Sequence, residues 1–259
     1  MNFHKLAFIV APTPTAEALA RCLTETHLFT LTSPQEADVL IVLGGDGFML
    51  HSLHTHQSLN KPVYGIHCGT VGFLMNAQMP TAGNLMSRLE EAKLTLLHPL
   101  KMRAENVHGT FVYHAINEVS LLRETFQAAK IKIFLNDVER LSSLTGDGLI
   151  VATPAGSTAY NLSAQGPILP LESPLITLTP LSPFRPRHWR GAILPDTTVV
   201  RLEILEADHR RVSATADDLT VSSVKQVTIQ RDTSLSYQLL FDPNHNLEDR
   251  ILQEQFTAL

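Results

Sequence analysis

The chain has 259 residues, 44% hydrophobic and 17% charged, with a formal charge of -5. That length accommodates one large domain or two smaller ones with an ample core, and the negative balance disfavours nucleic acid or an anionic membrane as the main partner, leaving a small-molecule ligand. With Cys22 and Cys68 as the two cysteines, neither a disulfide framework nor a cysteine-based zinc site can be built, which fits a reducing compartment. The first apolar run is too short for a signal peptide or a membrane span and ends in prolines, so the expected location is the cytoplasm.

In chain order, Lys5–Val10 reads as a strand. Residues 15–24 read as a helix with Ala18, Leu19 and Cys22 on one face. The stretch 37–49, ADVLIVLGGDGFM, is the one around which the rest of the chain is organised. Residues 39–43 are apolar on both faces, as in a strand buried between helix layers of a parallel sheet. Gly44, Gly45 and Gly47 are expected to admit positive φ and close approach by another molecule, and a helix over 48–59 would aim its free N–H groups at the loop. A strand, a glycine turn and a helix N-terminus make an anion site, with phosphate the first choice of ligand. Asp46 stands out there, because a carboxylate repels phosphate unless it holds a metal, takes a proton from a hydroxyl nucleophile or caps the helix. The loop matches neither the P-loop nor GxGxxG.

Residues 61–66 form a further strand ending in a second glycine turn at 67–74, HCGTVGFL, and 81–92 places Leu85, Leu89 and Ala92 at helical spacing. Strand and helix thus alternate, which implies parallel α/β layers. After Pro99 period-two segments take over. KIKIFLNDVERL turns at Asn136-Asp137 as a hairpin, and 197–231 continues in strands, so an antiparallel β domain fits. More than half of the prolines lie in 154–195, which excludes long helices there. Residues 247–256 place Leu247, Ile251, Leu252 and Phe256 on one helical face that could return to the first domain. The resulting division is 1–98 with 236–259, and 99–235.

In the second domain Asn117 and Glu118 interrupt an apolar strand; either they face solvent by alternation or the amide reads a purine edge. Further on, GDG at 146–148 leads through an apolar strand into TPAGSTAYNLS, a loop dense in hydroxyls and backbone donors. GGDG, GxxGFL, Asn-Glu and GDGxxxxTPxGSTAYNLS occur here in the order in which the NAD kinase family has them. From about 37 to 192 the sequence closely resembles a bacterial NAD kinase.

The resemblance implies a Rossmann-like α/β N-terminal domain, an all-β C-terminal domain and a final segment that returns to the first. It implies transfer of the γ-phosphoryl of ATP, or of polyphosphate in some members, to the 2′-hydroxyl of the adenosine ribose of NAD, with a divalent metal ion, Mg2+ foremost. By the same resemblance Asp46 is the general base, acting largely through position because a carboxylate is a weak base at neutral pH. Gly44 and Gly45 form the phosphate loop. Gly47, Phe73, Asn117, Glu118, Asp147, Thr158, Ala159, Tyr160, Asn161 and Ser163 are the substrate-binding set, with Phe73 against the adenosine half and Asp147 near the nicotinamide half. The resemblance also implies a homodimer or homotetramer whose subunits share the active site.

Three positions depart from the family pattern. His67 replaces Asn, Phe48 replaces Thr after GGDG, and Asp217-Asp218-Leu219 replaces Asp-Gly-Gln, which leaves Asp217 the one matched residue of a turn not counted as a site. Other candidates are weaker. His51, His54 and His56 follow GGDG, but His56 lies off the face of the other two. Cys68 has no activating partner in sequence, and Arg185, Arg187 and Arg190 cluster amid prolines where they could meet ATP phosphates, a partner subunit or solvent. The competing classes are a lipid kinase, which shares a GGDG turn, and a non-catalytic NAD(H) sensor.

Overall fold

Short apolar segments separated by glycine and proline give this chain many strands and few helices. The computed structural model describes residues 3–25, 29–69, 72–76, 80–81 and 83–243. It divides into two compact units, Met1–Leu97 with Ser236–Leu259, and His98–Leu235. No helix among the described residues is long and apolar enough to cross a membrane.

The first unit runs β1 (Lys5–Val10), α1 (Pro14–Thr24), β2 (Thr30–Leu31), β3 (Val39–Gly44), α2 (Asp46–His56), β4 (Pro62–His67), α3 (Leu85–Glu91) and β5 (Lys93–Leu97), with a last strand, Tyr237–Phe241, coming from beyond the second unit. The sheet order is β2-β1-β3-β4, then the returning strand, then β5; every pairing is parallel except the last, at the edge. All six residues of β3 are buried, as a strand apolar on both faces requires. Thr13 caps α1, its Oγ1 accepting the Ala16 N–H, with Pro14 at the first helical position. The helix expected over 48–59 starts two residues earlier, at Asp46, and ends in a tighter turn at Gln57–Leu59. That expected over 81–92 is confined to α3, which buries Leu85 and Leu89. The helical face expected over 247–256 lies outside the described residues.

The returning strand is fastened by a buried polar network. The Asn76 amide donates to Gly65 O and Leu240 O, both at 3.0 Å, and accepts the Asp242 N–H at 2.9 Å. Asp242 in turn accepts the Tyr64 hydroxyl at 2.6 Å and is paired with Arg88. Burial raises the Tyr64 phenol above its ordinary range. The network ties β4, α3 and the returning strand across more than 150 residues of sequence, so the first fold is complete only when the chain has come back.

The second unit is all antiparallel. It contains β6 (Leu100–Asn106), β7 (Gly109–Ala115), β8 (Glu118–Arg123), β9 (Ala129–Leu135), β10 (Val138–Gly146), β11 (Gly148–Ala152), a one-turn helix α4 (Tyr160–Ser163), β12 (Leu175–Leu181), β13 (Ala192–Pro195), β14 (Val200–Ile204), β15 (Val212–Ala216), β16 (Leu219–Val221) and β17 (Gln226–Arg231); the returning strand of the first unit is thus β18. Two six-stranded sheets, β10-β9-β14-β17-β6-β7 and β13-β12-β11-β8-β15-β16, contribute alternate residues to one core, among them Met102, Ile131 and Val227 from the first and Leu121, Val151 and Ala214 from the second. Asn136 and Asp137 both take positive φ, 50° and 61°, as a two-residue hairpin turn demands. The proline-rich 154–195 holds loops, the one-turn helix and two strands.

Candidate active site

In the first unit the residues of interest sit where two parallel strands end. β3 stops at Gly44 and β4 at His67, and the Cys68 N–H donates to Gly44 O at 2.8 Å, so the two loops beyond them run side by side. None of Gly44, Gly45 and Gly47 adopts positive φ, contrary to the sequence expectation; Gly45 is extended, φ -120° and ψ 179°, as the helix cap. Their use is space. A Cβ on Gly44 would lie 2.9 Å from the Phe48 ring, whereas one on Gly45 or Gly47 would meet nothing within 4 Å among the described residues. The loop is thus open on the side where an anion can approach the start of α2. Phe48, in place of Thr, folds over Gly44 and packs against the core, so no hydroxyl stands there.

Asp46 does not cap its helix. Its Oδ2 accepts the Phe73 N–H at 2.6 Å and its Oδ1 the Leu74 N–H at 3.1 Å. A Cβ on Gly72 would fall 2.2 Å from Oδ1, so the second loop needs glycine at that position to let the carboxylate in. GGDG and GxxGFL are therefore two halves of one device. Phe73 is half-buried beside it. His67 is buried and its Nδ1 accepts the Gly69 N–H at 3.1 Å, a bond that an imidazole makes only with that nitrogen unprotonated.

In the second unit Ile116 and Asn117 form the turn between β7 and β8, and Glu118 opens β8. Neither polar side chain points freely to solvent as alternation would have it. Among the described residues Asn117 Oδ1 and Glu118 Oε2 are buried without a hydrogen-bond partner, which is costly unless a ligand supplies one. Burial first, and the neighbouring Asp217 charge second, push the Glu118 carboxyl up to about 7. The turn is clasped by the TPAGS loop: the Thr153 hydroxyl donates to Ile116 O at 2.7 Å and accepts the Gly156 N–H at 3.1 Å, and the Thr153 N–H donates to Asn117 O at 2.9 Å. Asp217 holds it from the other side. Neither Asp217 nor Thr153 stands out as a site residue in the sequence; the one usable signal was the single retained Asp of the third departure.

The remaining residues divide. Asp147, Tyr160 and Ser163 line a cleft of about 470 Å³ with Trp189 and Arg190; Asp147 is paired with Arg123, Nε to Oδ1 2.6 Å. Asn117 and Glu118 do not line that cleft. Thr158 and Ala159 are half-buried in the intervening turn, with the Thr158 hydroxyl on Ala155 O at 3.3 Å. Asn161 is fully buried, and all four of its hydrogen-bonding positions are occupied: its amide nitrogen donates to Ser157 O and Pro167 O, and its oxygen accepts the Thr177 and Thr179 hydroxyls. That side chain shapes the loop and has nothing left for a ligand. Arg185 and Arg187 lie over the Phe184 ring, each 5.4 Å from its centroid. His54 sets its ring against Tyr237, and among the described residues no group of three or more His, Cys, Asp or Glu side chains is placed to hold a metal ion. Burial raises the Cys68 thiol, the opposite of nucleophile activation.

A largely parallel α/β sheet with a glycine-carboxylate loop at its strand ends in one unit, and an antiparallel sandwich displaying a buried amide and acid in the other, define a two-domain protein of the nucleotide-binding class. Comparison with known sequences gives the particular family. The ATP-NAD kinase N-terminal domain matches residues 4–94 and the ATP-NAD kinase C-terminal domain residues 116–238. The chain is 52% identical over 257 residues to the NAD kinase of Rhizobium meliloti (strain 1021), covering 99% of this chain and 98% of that one, and 49% identical over 259 residues to the NAD kinase of Zymomonas mobilis, covering 99% of each. The fold is similar to yeast NADH kinase complexed with NADH (TM-score 0.81, 23% identity, all of this chain and 89% of that one) and to an NAD kinase from Archaeoglobus fulgidus in complex with ATP (TM-score 0.74, 21% identity, 96% and 98%). The chain belongs to the ATP-NAD kinase family.

The raised acid makes stability depend on pH. The Glu118 carboxyl is raised from 4.5 to about 7 by folding, so the folded state binds the extra proton and stability falls as pH rises through that interval. Glu118→Gln mimics the protonated form and escapes the loss. The variant should gain roughly 1–3 kcal/mol over the parent at pH 8 relative to pH 5 in urea unfolding. An equal difference at both pH values would contradict the buried, raised acid.

Proposed function

We infer that the chain transfers the γ-phosphoryl group of ATP to the 2′-hydroxyl of the adenosine ribose of NAD, giving NADP and ADP. The observation that carries the reading is the placement of Asp46: one carboxylate, fixed by two backbone N–H groups, beside a loop left open by Gly45 and Gly47. In the proposed step the 2′-oxygen forms a bond to the γ-phosphorus while the bond to the bridging oxygen breaks, and ADP departs with that electron pair. The 2′-hydroxyl proton passes to Asp46 and then to water. Asp46 would act mainly by position, since phosphoryl transfer depends chiefly on alignment and charge neutralisation.

Asn117 and Glu118 are assigned to the dinucleotide, for which their unpartnered oxygens are the support; a Glu118 carboxyl that titrates near neutrality can donate as well as accept a hydrogen bond to a ribose or base. Phe73 is assigned to the adenosine half, Asp147 to the nicotinamide half, and Thr158, Ala159, Tyr160 and Ser163 to the remaining pocket. Gly44 and Gly45 are assigned to the phosphate loop, Gly45 on its open side, and Gly47 to the substrate. Asn161 supports its own loop from behind. A divalent ion, Mg2+ foremost, would be held chiefly by the substrate phosphates and water, as Mg2+ commonly is, since Asp46, the carboxylate of the phosphate loop, is assigned to the proton. When bound it neutralises charge on the transferring group. We assign the enzyme to the cytoplasm.

We further propose a homodimer or homotetramer with a site completed by the neighbouring subunit. The support is that Asp147 and Tyr160 line a cleft that excludes Asn117 and Glu118.

Both assignments can be tested by substitution. Asp46→Asn removes the proton acceptor and turns one amide contact into a donor facing a donor, so kcat should fall roughly 10²- to 10⁴-fold while NAD affinity by calorimetry stays close to parental. Turnover near the parental rate would sink the general-base role. For the shared site, Asp46→Asn and Asp147→Ala subunits can be refolded together as a dimer. Random pairing makes about half the dimers mixed, each with one intact site, so about a quarter of parental activity should return. No recovery, with mixed dimers confirmed by native mass spectrometry, would leave a site closed within one chain.

A further inference from the structure

Asp217 sits in the tight turn between β15 and β16 with φ 50°, a left-handed conformation that Asp tolerates better than most residues. Its carboxylate serves another turn. Oδ2 accepts the Ile116 N–H at 2.7 Å, and Oδ1 accepts the Asn117 and Glu118 N–H groups at 3.0 and 3.2 Å. The Asp217 N–H donates back to Glu118 O at 3.1 Å. On the opposite side Thr153 takes Ile116 O and Asn117 O, and a Cβ on Gly156 would lie 2.1 Å from Asn117 O. The backbone N–H and C=O groups from 116 to the Glu118 N–H are thus all bonded inside the protein, and the polar atoms left over are those of the two side chains.

We propose that Asp217 is the positioning residue for dinucleotide recognition, gripping three consecutive amides so that the Asn117 amide and the Glu118 carboxyl are displayed to NAD in one fixed orientation. The inference rests on the reading that this pair binds NAD. Two features separate it from a plain turn-stabilising role. A carboxylate placed beside a buried carboxyl is electrostatically unfavourable, so the position works against stability on that count. The turn it orders also ends in buried oxygens that have no partner among the described residues, an arrangement that serves a ligand and not the fold.

The test uses the full-length enzyme and calorimetric affinities for NAD and for ATP. In Asp217→Asn either amide orientation sets an NH2 group against a backbone N–H, so the grip loosens without a change of size. NAD affinity should fall about ten-fold and ATP affinity by less than about two-fold. The double variant Asp217→Asn/Asn117→Ala should lose clearly less NAD affinity than the two single losses combined, because Asn117 is one of the two side chains that Asp217 positions. Additive losses, or equal losses for NAD and ATP, would overturn the positioning role. If Asn117→Ala alone keeps parental NAD affinity, the assignment of the pair to NAD fails and the proposal falls with it; if Asn117→Ala weakens NAD but Asp217→Asn does not, only the positioning role is lost. Should Asp217→Asn fail to fold, Asp217→Glu keeps charge and acceptors but displaces them by a methylene. It should show the same split between NAD and ATP, and parental NAD affinity in that folded variant overturns the proposal.

Discussion

The bonds from the Phe73 and Leu74 amides to the Asp46 carboxylate are the contact that joins the two glycine loops of the first unit, and the proposed chemistry rests on it. A carboxylate at a helix start could have turned inward to cap its own helix, and it would then have been a structural group. Here the second loop takes both oxygens, and a glycine at position 72 makes the room. Each oxygen that accepts one N–H still has a lone pair, so the group is held without being exhausted. Position is what the proposed reaction asks of it, since an ordinary carboxylate at neutral pH contributes through alignment more than through basicity.

The second unit repeats the device with the roles changed. There the carboxylate of Asp217 is the clamp and the backbone of 116–118 is the object held. Both turns lie at the ends of strands whose own registers are set by large apolar cores, β3 and β4 in one unit, β8 and β15 in the other. The cores fix the strands to within their hydrogen-bond ladders, and a single charge-assisted contact then fixes the functional turn. The backbone of this turn is fully bonded, while the buried oxygens of Asn117 and Glu118 stay without a partner among the described residues.

Much of this was legible in the amino-acid sequence because the two periodicities are clean. The unbroken apolar run of β3 announced a parallel, two-sided strand, and the Asn136-Asp137 hairpin was readable from turn chemistry alone. Motif order carried the family. What escaped was long-range. The glycines of GGDG read in sequence as positive-φ positions, yet what they provide is clearance, which depends on neighbours that no local pattern reveals. Asn161 looks like a ligand group among hydroxyls, but Thr177 and Thr179 on β12 occupy its oxygen. Asp217, about a hundred positions from the turn it holds, carries no local signature beyond one matched residue.

On this reading the position of the Asp46 carboxylate, and not merely its presence, governs turnover. Gly72→Ala tests this without touching Asp46, because the added methyl group would overlap the carboxylate, a side-chain end that can swing aside while the fold survives. The steady-state rate of NADP formation from ATP and NAD, measured with the thermal unfolding midpoint of the same protein, is the direct readout. Misplacement by about an ångström should lower kcat on the order of a hundred-fold with little change in the midpoint. A folded Gly72→Ala enzyme that turns over at the parental rate would show that the carboxylate's place in the loop is not what the chemistry depends on.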